Sequence, residues 1–139
     1  MLIGEYSHTV DTKGRINFPS KLRDDLGDSF IVTRGLDNCL YVYSMEEWLE
    51  LEKSIKQLPR AKRRDLEHFF FAGASEVQPD KQGRIGIVPK LREYAGIDKN
   101  VVVVGASDHV EIWDSAAWES VSSSISAEAI ADTMDELGF

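Results

Sequence analysis

The stretch Asp11-Thr-Lys-Gly-Arg-Ile-Asn-Phe-Pro-Ser-Lys-Leu-Arg23 recurs as Asp80-Lys-Gln-Gly-Arg-Ile-Gly-Ile-Val-Pro-Lys-Leu-Arg92. Both copies keep Asp, Gly-Arg-Ile, Pro and Lys-Leu-Arg. The second has one more residue before its proline and one fewer after it, so the first and last arginines stay in register. A repeat constrains a fold strongly, because each copy is one supersecondary unit that must bury its apolar face on a neighbour. The echo continues with Leu26-Gly27 and Ala95-Gly96, Gly35 and Gly105, Tyr43 and Trp113, Ser44 and Asp114. Trp48, Leu51 and Ile55 are then matched by Trp118, Val121 and Ile125. The chain reads as two copies of a unit of roughly 50 residues. Two copies are too few for a solenoid, which leaves a closed pseudo-symmetric pair.

Each unit spells out the same element order. Ile3 to Val10 predicts a strand, and Asp11-Thr-Lys-Gly14 a turn in which Asp bonds its own backbone and Gly supplies a positive φ. Arg15 to Phe18 predicts the return strand. Pro19 opens a short helix at its first turn, and Gly27 ends it as a left-handed cap. Phe30–Arg34 and Cys39–Tyr43 predict two strands around a turn at Gly35. Ser44-Met-Glu-Glu47 is a capping box, starting a helix with Trp48, Leu51, Ile55 and Leu58 on one stripe. Pro59 stops it, and a second helix runs from Arg60 through Leu66 to Phe69, Phe70 and Phe71. In the second unit, Pro89–Ala95 is the short helix, Val101–Val104 a fully buried strand and His109–Trp113 its partner. Asp114 caps a helix bearing Trp118, Val121 and Ile125. Ser126 begins a last acidic helix with Ile130, Met134 and Leu137 on one face. These boundaries divide the chain into residues 1–57 (first unit and its helix), 58–74 (helical connector), 75–125 (second unit and its helix) and 126–139 (acidic helix), one compact domain in all.

The net charge of −8 is uneven. All 16 Lys and Arg lie at or before Lys99, while the eight carboxylates of 105–139 face no cation at all. Each repeat motif carries four cations against one Asp. Affinity for phosphate follows the local field, so the acidic total does not exclude nucleic acid. Charge alone leaves that question open. No run approaches the roughly 18 apolar residues of a membrane span. The N-terminus lacks the basic flank and apolar core of a signal peptide. Cys39 is the one cysteine, which excludes an intramolecular disulfide framework and a thiolate metal site. A cytoplasmic protein is expected.

The candidate binding residues are Lys13, Arg15, Lys81 and Arg84, set at the two turns. Asp11, Gly14, Asp80 and Gly83 are expected to shape those turns without touching a ligand. Arginine suits such a tip because its planar fork grips a phosphate or a guanine edge with two bonds. The bland alternative is an Asp–Arg clamp that only tightens the turn. Arg60–Arg64 is a second basic run, with two readings: a second nucleic-acid contact or, more commonly for such a run, a solvated helix face. His8, His68 and His109 show no ligand spacing and no paired carboxylate, and Tyr41, Tyr43 and Trp113 repeat as packing positions. No nucleophile–base constellation is visible, so an enzyme is not expected.

Strand, Asp-x-x-Gly-Arg turn, strand, Pro-initiated helix and hairpin together resemble the AbrB-like swapped-hairpin domains. Two such units joined by a helical insert resemble the MraZ family over nearly the whole chain. Gly4-Glu-Tyr6, Thr33-Arg-Gly-Leu-Asp37, Phe69-Phe-Phe-Ala-Gly-Ala74 and Glu111-Ile-Trp113 match it as well. The resemblance implies an α+β, pseudo-two-fold swapped-hairpin β-barrel with flanking helices. It implies a DNA-binding transcriptional regulator of the bacterial division and cell-wall gene cluster, binding short direct repeats at its own promoter and usually repressing it. It further implies a ring-shaped homo-oligomer. The protein is expected at the nucleoid, with no cofactor, no metal, no small-molecule substrate and no membrane. Its Asp-x-x-x-Arg loops fall on Asp11/Arg15 and Asp80/Arg84. The alternative, suggested by the acidic total charge, is a protein-binding scaffold without DNA affinity.

Overall fold

The computed structural model describes all 139 residues. It is an α+β chain built on antiparallel strands, with helices around them. The strands are β1 (Leu2–Thr9), β2 (Arg15–Asn17), β3 (Phe30–Arg34), β4 (Leu40–Ser44), β5 (Ser75–Val77), β6 (Arg84–Gly86), β7 (Asn100–Ser107) and β8 (Val110–Asp114). The α-helices are α1 (Ser20–Leu26), α2 (Met45–Lys56), α3 (Arg60–Leu66), α4 (Pro89–Tyr94), α5 (Ser115–Ser123) and α6 (Ala127–Glu136). Short 3₁₀ and π segments cover Leu36–Asn38 and Glu67–Phe71. No helix is long and apolar enough to cross a membrane.

Six strands form one sheet in the order β1-β7-β8-β4-β3-β5, and β2 and β6 form a separate ribbon. Exchanging β1 with β5, β3 with β7 and β4 with β8 leaves the six-stranded order unchanged. β1 of the first unit pairs with β7 of the second, and β5 of the second with β3 of the first. The return strand β2 likewise pairs with β6 across the units, not with β1 beside it in sequence. Only β3–β4 and β7–β8 are hairpins within a unit. The interleaving has a simple cause. A single unit would leave Ile16 or Ile85 on an open two-sided ribbon, whereas the pair reduces both to 1% exposure. Burying each contributes about 1.5–3 kcal/mol.

The core joins these strands to the two short helices. Leu22, Leu26 and Leu91 pack with Phe18, Phe30, Val101, Val103 and Ile112. Val101–Val104 is buried on both faces, as its uninterrupted apolar run predicts. Gly105 permits the closest strand approach, since a Cβ there would lie 2.4 Å from the Ile3 backbone nitrogen.

Four sequence expectations need revision. Pro19 is the residue before α1 rather than its first residue, while Pro89 does begin α4. The two helices nonetheless start the same distance from their aspartates, so the apparent insertion is a one-residue shift of proline within a fixed backbone. Gly27 has φ 92° and ψ −174°, which is not the left-handed cap but another conformation open chiefly to glycine. At the capping box, Ser44 accepts from the Glu47 N–H at 3.2 Å, and no return bond from the Glu47 side chain forms. Leu58 and Ile125 lie past the ends of α2 and α5 and stay 38% and 58% exposed, because each helix stops short of the predicted stripe.

Candidate nucleic-acid interface

The two turns are superimposable in their bonding. Asp11 Oδ1 accepts the N–H groups of Lys13 and Arg15, both at 2.9 Å, and Oδ2 accepts Arg15 Nε at 2.8 Å. Asp80 repeats this with the N–H groups of Gln82 and Arg84 and with Arg84 Nε, all at 2.9 Å. Each turn is closed by the Asp N–H donating to the Arg carbonyl and the Gly N–H donating to the Asp carbonyl. Gly14 and Gly83 both sit at φ 77°, where a side chain is strained. The N–H of Arg15 holds the Asp11 carboxyl below the usual carboxylate range, and the N–H of Arg84 does the same for Asp80. The aspartates therefore stay ionised and face inward on their own turns.

The ribbon sets the two arginines relative to one another. β2 and β6 pair with Arg15 opposite Gly86, Ile16 opposite Ile85 and Asn17 opposite Arg84. Side chains alternate along a strand, so Ile16 and Ile85 point into the core and Arg15, Asn17 and Arg84 share the outer face. Arg15 and Arg84 are diagonal neighbours, about 7–8 Å apart in such a pair with their Cβ atoms somewhat closer. Phe18 N–H donates to Gly83 O and Ile87 N–H to Gly14 O, so each turn is fastened to the strand leaving the other. Only Nε of each arginine is engaged by its aspartate, which leaves the outer nitrogens of both guanidinium groups as donors. Lys13 and Lys81 are exposed beside them. Asn17 joins this face unforeseen. Its sign in the sequence was alternation with the buried Ile16.

The other candidates fall elsewhere. α3 exposes Arg60, Lys62 and Arg64 away from the ribbon's strands, with Arg63 Nε 3.5 Å from Glu67 Oε1. Arg34, in one of the family-matching stretches, donates to the carbonyls of Phe69 and His68 and lies 4.8 Å over the Phe69 ring. It pins the insert to β3 and is not on the ribbon. His109 departs from the expectation that no histidine has a carboxylate partner. Its Nδ1 lies 2.8 Å from Asp108 Oδ1 and its Nε2 2.9 Å from Glu111 Oε2. Glu111 raises its pKa above the ordinary value, and Asp108 adds to the effect against burial. Glu111 also accepts from Trp113 Nε1, and Tyr41 and Tyr43 pack on the imidazole at 4.8 and 5.7 Å. Residues 109, 111 and 113 share one face by alternation, which is the sign that could have revealed the cluster. Cys39 is buried with its thiol pushed up to about 12 by desolvation. No three metal-ligating side chains come together.

The structure defines an α+β chain of two interlocked units that presents two Asp-clamped basic turns on one cross-unit ribbon. The family model described as "MraZ protein, putative antitoxin-like" matches residues 1–66 and 70–137. The chain belongs to the MraZ family. A relative from Acetivibrio thermocellus named "Transcriptional regulator MraZ" is 54% identical over 142 residues, covering 99% of each chain. Relatives of the same name from Caldicellulosiruptor saccharolyticus and Thermoanaerobacter pseudethanolicus are each 51% identical over 99% of both chains.

Proposed function

We propose that this protein is a sequence-specific, double-stranded-DNA-binding transcriptional regulator, acting as a repressor of the bacterial division and cell-wall gene cluster that includes its own operon. The observation that carries the reading is the β2–β6 ribbon, with Arg15 and Arg84 diagonal on its outer face and a basic turn at each end. A two-stranded ribbon fits the major groove, where arginine can grip guanine and Asn17 can read adenine. Lys13 and Lys81 neutralise phosphate, while Asp11, Gly14, Asp80 and Gly83 hold the turns. The interleaved pairing supports a swapped-hairpin barrel in which 1–57 and 75–125 need one another to fold. The relatives' shared name supports the regulatory role, carried out in the cytoplasm at the nucleoid.

The active form is a ring of several chains reading short direct repeats. Its support is the apolar surface that a single chain leaves uncovered. Ile130, Met134, Leu137 and Phe139 are 51%, 38%, 67% and 84% exposed at the C-terminus. Such a stripe on a small domain marks an interface. The stripe on α2 is partly spent within the chain, since Ile55 is buried and Trp48 packs on Phe71 at 4.7 Å. Linked contacts multiply modest box affinities through effective concentration. A gel-shift on DNA upstream of the protein's own gene, followed by footprinting, tests this. Several evenly spaced protected boxes are expected, and no shift at physiological salt would leave the scaffold reading instead.

A further inference from the structure

Each turn is covered by an arginine from the opposite unit. A Cβ on Gly14 would lie 2.9 Å from the Cζ and from one Nη of Arg92, and a Cβ on Gly83 would lie 3.1 Å from an Nη of Arg23. The guanidinium from α4 thus rests on the Asp11–Arg15 turn, and that from α1 on the Asp80–Arg84 turn. The Nε of both is sealed from solvent with no hydrogen-bond partner. Neither forms an ion pair. An Nε sealed from solvent without an acceptor is unfavourable, and the outer nitrogens beside it, which no group of the chain engages, are left as donors for an anion.

The surroundings of the two arginines differ. Arg23 lines a polar cleft with Asp24 and Asp28, whose carboxylates have no partner on the turn and oppose an incoming anion, while Asp80 in the same cleft is committed to Arg84 and two backbone N–H groups as Asp11 is to its own turn. Beside Arg92, the turn's carboxylate Asp11 is committed to Arg15 and two backbone N–H groups, and Lys13 adds a free cation. The second turn has the neutral Gln82 where the first has Lys13, and its own lysine, Lys81, stands one residue further from the glycine.

We infer that Arg92 is a DNA-phosphate-binding residue of a composite site made by the first unit's turn and the second unit's short helix, and that Arg23 is not its functional equal. The inference rests on the DNA-binding reading above. Arg92 grips the backbone beside the base edge met by Arg15, fixing register without reading sequence. The site therefore exists only in the interlocked pair, and its strong end gives the pseudo-symmetric ribbon a polarity on DNA.

The test compares wild type, Arg92→Gln, Arg92→Lys and Arg23→Gln in the full-length chain, titrated on its own upstream duplex and on an unrelated duplex of equal length at several salt concentrations. Arg92→Gln is expected to weaken both duplexes by a similar factor of about tenfold or more. It should also reduce the steepness of the salt dependence by about one unit per engaged site. Arg92→Lys should restore most of the salt dependence, and Arg23→Gln should bind as wild type, all with unchanged melting. Wild-type affinity and salt slope in Arg92→Gln would overturn the inference while leaving DNA binding intact. So would a loss accompanied by reduced melting that Lys does not rescue, or an equal loss in Arg23→Gln. Failure of the wild type to bind either duplex would remove the DNA reading and this inference with it.

Discussion

At the residue scale, the aspartates and arginines of the two turns divide their work. Asp11 and Asp80 spend their oxygens on their own backbones and on one arginine nitrogen, and so order the turn. Arg15→Ala is expected to remove a base or phosphate contact worth roughly 1–3 kcal/mol per site and so nearly abolish specific binding across several boxes. Sedimentation and melting should stay close to wild type, because an exposed ion pair contributes little to stability. Retained operator affinity would refute the assignment. His109 gives a second prediction. Its pKa is raised in the folded state, chiefly by Glu111, so its contribution is complete below the unfolded histidine value of about 6.5. That contribution fades as pH rises through the elevated folded value. Melting temperatures of wild type should fall from pH 6 toward alkaline pH, whereas His109→Gln should lose this dependence. Parallel profiles would show that the pairing does not act on stability.

At the element scale, the repeat gives the two units equivalent glycines with different reasons. Gly35 lies under the Tyr41 ring, where a Cβ would come 2.5 Å from a ring carbon, and Gly105 lies under the backbone of β1. A ring can swing aside more easily than a paired strand. Gly105→Ala should therefore push β1 from β7 and destabilise by roughly 2–3 kcal/mol. Thermal unfolding should register this as a fall of about 4–12 °C. An unchanged melting temperature would mean that β1 is not held as closely as the register implies. α6 sits at the other extreme, capped by Ser126 at its start yet exposed along its whole length, and its order depends least on the core.

At the scale of the whole molecule, every sheet contact outside the β3–β4 and β7–β8 hairpins crosses between units. Residues 1–57 expressed alone should remain unfolded or aggregate, because β1 and β2 lose their partners and expose paired edges. Mixing them with residues 58–139 should restore a compact species with native amide-exchange protection in β1 and β7. A folded, monomeric first half would contradict the interlocked fold. Sedimentation of the intact chain at micromolar concentration should give a multiple of the 15.6 kDa protomer, and truncation before Ala127 should shift that distribution if α6 is an interface. A stable monomer would remove the ring from the functional reading.

The Asp-x-x-Gly-Arg turns, the short helices, the buried Val101–Val104 run and the caps at Ser44, Asp114 and Ser126 were legible in the chain. Each depends on interactions over a few residues, where glycine conformation, capping chemistry and hydrophobic period act directly. The local sequence also carried the repeat, and with it the pseudo-symmetry. Partner choice was not local. Whether Arg15–Asn17 returns on β1 or crosses to Arg84–Gly86 depends on which arrangement buries Ile16 and Ile85 together, and only the three-dimensional packing decides it. The same packing set Asn17 opposite Arg84, laid Arg92 across Gly14 and laid Arg23 across Gly83. Those juxtapositions join residues distant in sequence, so no spacing or period within one unit could have announced them.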